Sequence, residues 1–227
     1  MREIVFDTET TGLDPEAGHR IIEIAAIELV NHLPTGKTFH RYVNPEREIA
    51  PEAQAIHGMK LSDLADKPVF ANIVAELLEF LGDARLVAHN AEFDVKFLNA
   101  ELKALGFPPV PMARAVDTVQ MARRKFPGAP ASLDALCQRF GVDNAHRTLH
   151  GALLDAELLS EVYLELIGGR QAAMLLDAGS DTGGLIMAPI VVRQRPPREI
   201  RPHAPSPEEL AAHAALLAKL KNPLWVS

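Results

Sequence analysis

Ile4-Val5-Phe6-Asp7-Thr8-Glu9-Thr10-Thr11-Gly12 reads as a buried strand that runs straight into acid. Alternate residues of a strand share one face, so Asp7 and Glu9 converge on a single point. Two bare carboxylates held side by side raise each other's pKa, and the arrangement calls for a compensating cation. Alone, an acid followed by threonines and a glycine is also an ordinary strand-end turn. Two further segments decide between these readings.

In His89-Asn90-Ala91-Glu92-Phe93-Asp94, Asp94 opens a helix predicted over Phe93 to Leu105, where Leu98, Leu102 and Leu105 recur at helical spacing before Gly106. By itself an acid in a first turn only favours the helix dipole. In His150-Gly151-Ala152-Leu153-Leu154-Asp155, the acid lies inside an amphipathic run, Ala152 to Leu166, marked by Leu154, Leu158, Val162 and Leu166. A mid-helix Asp is usually just solvated. His150, five residues before Asp155, would fall off its face on a continuous helix and is expected on a loop beside Gly151. Four acids and one histidine together read as a two-metal phosphodiesterase site. Carboxylate and water ligands suit Mg²⁺ or Mn²⁺, and no Cys/His cluster points to zinc. Two ions ~3.5–4 Å apart stabilise both the attacking and the leaving oxygen of an in-line displacement at phosphorus.

These segments, with Arg147-Thr148-Leu149-His150-Gly151-Ala152-Leu153-Leu154-Asp155-Ala156, Arg124-Lys125-Phe126-Pro127-Gly128 and Ser132-Leu133-Asp134-Ala135-Leu136-Cys137, resemble the DEDD exonucleases of the histidine-containing subclass. Within that family they resemble the epsilon proofreading subunits of bacterial DNA polymerase III. The resemblance spans about residues 1 to 176 and implies an α/β, ribonuclease H-like fold, a mixed five-stranded sheet flanked by helices. It implies a 3′-5′ exonuclease that releases 5′-mononucleotides and proofreads DNA. Asp7, Glu9 and Asp155 would hold the tighter of two divalent ions, Asp7 bridging to the second, with Asp94 completing the cluster partly through water. His150 would be the general base. Glu52 and His57, in Pro51-Glu52-Ala53-Gln54-Ala55-Ile56-His57-Gly58, match family positions that contact the terminal nucleotide beside Asp7, Glu9 and Asp155. The stretch itself reads only as a short helix ending at Gly58.

The layout agrees with such a core: strands at 3–7, 21–30, 37–43, 85–89 and 114–118, joined early by loops bearing Gly18, Pro34 and Gly36. Helices alternate at 72–81, 93–105, 118–125, 132–140 and 151–167. The 227 residues, 48% hydrophobic, suffice for one good-sized core and a tail. Cys137 is the only cysteine, which excludes an internal disulfide. Met1-Arg2-Glu3 leads directly into a strand, and no apolar run approaches membrane-spanning length, so a bacterial cytoplasmic, replisome-associated protein is expected. The net charge is −7, with 16 basic against 25 acidic residues through Gly169, which argues against wrapping duplex DNA. A frayed or single-stranded 3′ terminus gripped by metals, with Arg123, Arg124, Lys125 or Arg147 near the cleft, is the expected substrate. The alternative for those bases is a solvated helix face.

Three regions follow: a nuclease domain over 1–169, a clamp-motif segment and flexible linker over 170–205, and a polymerase-binding helix and tail over 206–227. Prolines 189, 196, 197, 202 and 205, with Pro207 just beyond, interrupt any long element across the second region. Ser206-Pro207-Glu208-Glu209 opens a helix running to about Lys221, with Leu210, Leu217 and Leu220 on one side and Trp225 beyond. Such a helix implies a partner. The resemblance names it as the polymerase alpha subunit, and matches Gln171-Ala172-Ala173-Met174-Leu175-Leu176 to a beta sliding-clamp motif through Gln171, Met174, Leu175 and Leu176. The motif ends in Leu176 where an aromatic is common; the other reading is an extension of the preceding helix. A small theta-like subunit is a further candidate partner. Two other functions remain open: an RNA-trimming exonuclease of the same fold, against which the tail argues, and a non-catalytic polymerase–clamp bridge, against which the intact acids argue.

Overall fold

The computed structural model describes residues 1–147, 149–169 and 204–219. Five strands, β1 (Arg2–Thr10), β2 (Ile21–Val30), β3 (Leu33–Tyr42), β4 (Arg85–Ala88) and β5 (Ala115–Asp117), form one sheet in the order β3-β2-β1-β4-β5. The first three strands pair antiparallel, while β4 runs parallel to β1 and β5 parallel to β4. This is the expected mixed α/β sheet. The β2–β3 turn differs from expectation. Asn31 and His32, at φ 52 and 67, make a tight two-residue hairpin, so Pro34 and Gly36 lie within β3, which starts at Leu33 rather than 37.

Among the described residues seven α-helices accompany the sheet: α1 (Pro51–His57), α2 (Leu61–Leu64), α3 (Phe70–Leu81), α4 (Ala91–Ala104), α5 (Thr118–Lys125), α6 (Leu133–Phe140) and α7 (Ala152–Leu166). The single turn α2 lacks any periodic run and was not expected. Ser132 caps α6 by accepting from Ala135 N–H, and Gly141 at φ 70 stops it, as the sequence indicates.

The sheet is covered on both faces. Ile4, Phe6, Ile24 and Ala26 pack against α3 and α4 through Phe70, Val74, Leu77, Val95 and Leu98. Val5, Ala25, Ile27 and Val87 pack against α6 and α7 through Leu136, Ala156, Leu159 and Val162. Burial on both sides explains why the centre of β1 is uninterruptedly apolar. Each fully buried side chain such as Phe6 contributes about 1.5–3 kcal/mol. A half-exposed arginine reaches a buried acid of α4: Arg20 donates through Nε and Nη2 to Glu101 Oε1 and Oε2 at 2.7 and 2.8 Å, fixing the helix that carries Asp94.

A separate unit contains α8 (Pro207–Leu217). Ser206 Oγ accepts from Glu209 N–H, and the Glu209 carboxylate accepts from Ser206 N–H, a reciprocal cap. No residue of α8 is buried, and Leu210 is exposed. The clamp-motif residues Gln171, Met174, Leu175 and Leu176, the linker to residue 203, Leu220 and Trp225 lie outside the described residues.

Candidate active site

The carboxyl end of β1 carries Asp7 and Glu9 toward α7, and they meet Asp155 in the first turn of that helix. Asp94 arrives from the opposite layer, in the first turn of α4, and curls round the strand end. Its Oδ1 accepts from Thr8 N–H at 3.0 Å and from Thr8 Oγ1 at 2.8 Å. Thr8 therefore ties the fourth acid to the strand that bears the first two. Sequence reading missed this role, because Thr8 shows there only as a spacer.

Asp7, Glu9, Asp94, Asp155 and His150 all line one cavity of about 510 Å³, as do Glu52 and His57 of α1. Ligand atoms of Glu9, His150 and Asp155 lie within 4.8 Å of one another. Burial, with Asp94, Glu9 and Asp155 nearby, holds the Asp7 carboxyl well above the usual carboxylate range. Burial and then Asp155, Glu23 and Asp94 push Glu9 up to about 8. Burial takes Asp94 to about 7 against the pull of the Thr8 hydrogen bonds. Carboxylates that resist ionising together form a donor set made for a hard divalent cation. The residues fit such an ion.

His150 stands on the loop before α7, as its spacing implies. Its N–H donates to Ile56 O at 3.2 Å, which joins the loop to α1. Leu149 lies against Gly58, where a Cβ would come within 2.6 Å of Leu149 Cδ1. The glycine also closes α1 at φ 76, so it serves two purposes. At Gly12 a Cβ would collide with the His19 ring, and His19 Nδ1 lies 3.0 Å from Thr11 Oγ1. Leu13, Ala53, Ile56 and Phe93 make up an apolar side of the cavity. His57 Nδ1 accepts from Met59 N–H at 3.0 Å, so the neutral ring carries its proton on Nε2. That atom is buried without a partner among the described residues.

Arg147 departs from the expectation of a DNA-gripping cation. Its side chain, 6% exposed, donates through Nε and Nη2 to the two Asp155 oxygens at 2.6 Å each and through Nη1 to Asp134 Oδ2 at 2.8 Å. Its Nη2 also lies 2.9 Å from His150 Nδ1. Arg147 is an internal counter-ion: enclosed beside buried acids, it balances the charge of Asp155, which would otherwise stand uncompensated. Lys125 caps α7 at Glu165 O and Leu166 O, and Arg123 lines a polar recess that shares His89 with the cleft. Among the described residues no helix is long and apolar enough to cross a membrane.

Comparison with known proteins agrees with this geometry. The family described as Exonuclease (RNase_T) matches residues 4–163. DNA polymerase III subunit epsilon of Rickettsia felis is 49% identical over 224 residues, covering 97% of this chain and 97% of the relative. The protein of the same name from Escherichia coli is 42% identical, covering 95% and 92%. Among solved structures, exonuclease X in complex with 5′ overhanging duplex DNA is 27% identical with a TM-score of 0.56, covering 72% of this chain and 90% of that one. The nuclease domain of 3′hExo, a DEDDh family member bound to rAMP, shares the fold at a TM-score of 0.62 and 21% identity, covering 73% and 91%.

Proposed function

The chain belongs to the exonuclease family, with epsilon subunits of bacterial DNA polymerase III as full-length relatives, and from that membership we infer that its carboxylate cleft is the reaction centre of a proofreading nuclease. The protein is a metal-dependent 3′-5′ exonuclease of the polymerase III core, acting on DNA. The observation that carries the assignment of the site is the convergence of Asp7, Glu9, Asp94 and Asp155 with His150 on one cavity.

In this reading the four acids hold two divalent ions, Mg²⁺ or Mn²⁺, which when bound supply charge stabilisation to the attacking and leaving oxygens. His150 takes the proton of the attacking water. With the ring proton on Nδ1 and directed at Asp155 Oδ2, 3.2 Å away, Nε2 is bare and able to accept. That tautomer requires the Arg147 Nη2 contact at Nδ1 to give way, because a guanidinium only donates. His57, with its proton held on Nε2 by the Met59 contact, would donate to the terminal nucleotide, and Glu52 lines the same cavity. Leu13, Ala53, Ile56 and Phe93 offer the terminal base an apolar wall.

Residues 1–169 form the nuclease domain, 170–205 the clamp-motif segment and linker, and 206–227 the polymerase-binding tail. The exposed α8 with Leu210 and Leu217, followed by Leu220 and Trp225, would dock on the alpha subunit. Gln171, Met174, Leu175 and Leu176 would contact the beta clamp, and a theta-like subunit is a further partner. One assay tests the function: divalent-ion-dependent release of 5′-mononucleotides from a mismatched primer terminus, beside matched RNA. Preference for the mismatched DNA is expected. Preference for RNA would turn the assignment to an RNA-trimming nuclease, and inactivity with every divalent ion to a bridging subunit.

A further inference from the structure

Glu23 is a carboxylate with 4% side-chain exposure that none of the roles above uses. It lies on β2 directly opposite Glu9 of β1, so both side chains leave the same face of the sheet toward α7. Its Oε2 accepts from the N–H of Ala152, the first residue of α7, at 3.1 Å. Its Oε1 lies 2.7 Å from His40 Nε2 on β3.

The first N–H groups of a helix have no intrahelical partner, and the residue that ordinarily satisfies one is the N-cap side chain. At α7 that position is Gly151, which makes no side-chain cap. A strand residue 129 positions away takes its place. Ala152 is fully buried, so without Glu23 its N–H would lose water and partner together. A carboxylate there also suits the positive end of the helix dipole. The location is costly, because Glu23 is one of the charges that hold the neighbouring Glu9 carboxyl above its usual range.

We propose that Glu23 is a positioning residue of the site: it caps α7 from β2 and so fixes Asp155, in the first turn of α7, and His150, two residues before Ala152, against the acids of β1. His40 steadies the second oxygen, and the register of the β1–β2 pair sets the distance to Glu9. The proposal rests on the reading of Asp155 and His150 given above.

The test compares Glu23→Ala, Glu23→Gln and the double variant Glu23→Ala with Gly151→Ser in the full-length chain. Gln keeps an acceptor for the Ala152 N–H. Gly151 is extended at φ −152, and an added Cβ meets nothing within 4 Å, so Ser is accommodated and can accept from the next helical amides. Glu23→Ala should lower kcat on single-stranded DNA on the order of 10²-fold, the effect of a small misplacement of reacting groups. Its KM should stay within about twofold, and the peptide over 149–156 should exchange its amide hydrogens faster. Glu23→Gln should retain most of the turnover, and the double variant should recover part of it. If Glu23→Ala does not fold, Gln and the double variant carry the same comparison: turnover in both supports the cap. Normal turnover in Glu23→Ala, or a loss that neither companion recovers, overturns the proposal. His150→Gln is assayed alongside; normal turnover there removes the reading of the site itself, with the exchange effect of Glu23→Ala still standing.

Discussion

Replacing Arg147 with Met should cost the metal-free protein about 3 kcal/mol of folding stability. The guanidinium and the Asp155 carboxylate are 6% and 5% exposed and share two hydrogen bonds of 2.6 Å. Removing one partner of a buried pair strands the other, at about 3–5 kcal/mol. The lower end applies because the third contact, to Asp134, is 58% exposed and regains water readily. The loss is compounded at Glu9, whose carboxyl the Arg147 charge draws down against burial and the neighbouring acids. A divalent ion supplies the missing positive charge. At 100 times its Kd it adds about 2.7 kcal/mol to any protein that binds it only when folded. Its affinity for Arg147→Met should exceed that for the parent, because no guanidinium competes for Asp155. Urea unfolding in EDTA and in excess Mn²⁺, with Mn²⁺ titration by calorimetry, measures both effects. The gap between parent and variant should narrow by at least about 1 kcal/mol with metal. A gap that is equally wide with and without Mn²⁺, together with weaker Mn²⁺ binding in the variant, would falsify the view of Arg147 as an internal counter-ion in favour of one that merely orients Asp155.

Asp7→Asn should abolish turnover and leave the metal-free protein as stable as the parent or more so, because it removes one of several mutually repelling acids; near-normal turnover would sink the two-metal assignment. In EDTA the stability should fall as pH rises from about 4.5 toward 8. Asp7, Glu9 (about 8) and Asp94 (about 7) all have folded pKa values above their unfolded ones, so the native state binds more protons than the unfolded chain across that window. Mn²⁺ should suppress this slope and release protons on binding at pH 6.5, measurable by calorimetry in buffers of different ionisation enthalpy. A fragment ending near residue 186 should fold and cleave single-stranded DNA like the full chain while losing affinity for the alpha subunit; undiminished affinity in a pull-down would refute the tail assignment. Leu210→Asp, on the exposed side of α8, should weaken that same contact without touching nuclease turnover.

Much of the site was legible because its parts are local patterns. The period-2 placement of Asp7 and Glu9 follows from strand geometry, and the break at Gly151 correctly set His150 on a loop ahead of α7. Helix ends at Gly58 and Gly141 and the caps at Ser132 and Ser206 are chemical requirements of a few adjacent residues. The hairpin at Asn31–His32 was misplaced because Pro34 and Gly36 are stronger turn formers in isolation, and the β2–β3 ladder outweighed them. Even Arg147 showed in the sequence, but as a cation near a cleft, with nothing to say whether it faced DNA or Asp155.

By itself the sequence determined which residues are acidic, most of the strands and helices apart from α2 and the start of β3, and that three separate segments each offer an acid at the end of an element. Only the tertiary structure decided which of those acids share a point and what holds them there. Thr8 binds Asp94 across 86 residues, Glu23 caps α7 across 129, and His150 hangs from Ile56 O in α1. None of these contacts carries a local signal, because each follows from the register of β1 on β2 and from helices docking on two sheet faces. That register and docking are set by the summed burial of dozens of apolar side chains, after which a polar partner far away in the chain becomes the nearest one in space.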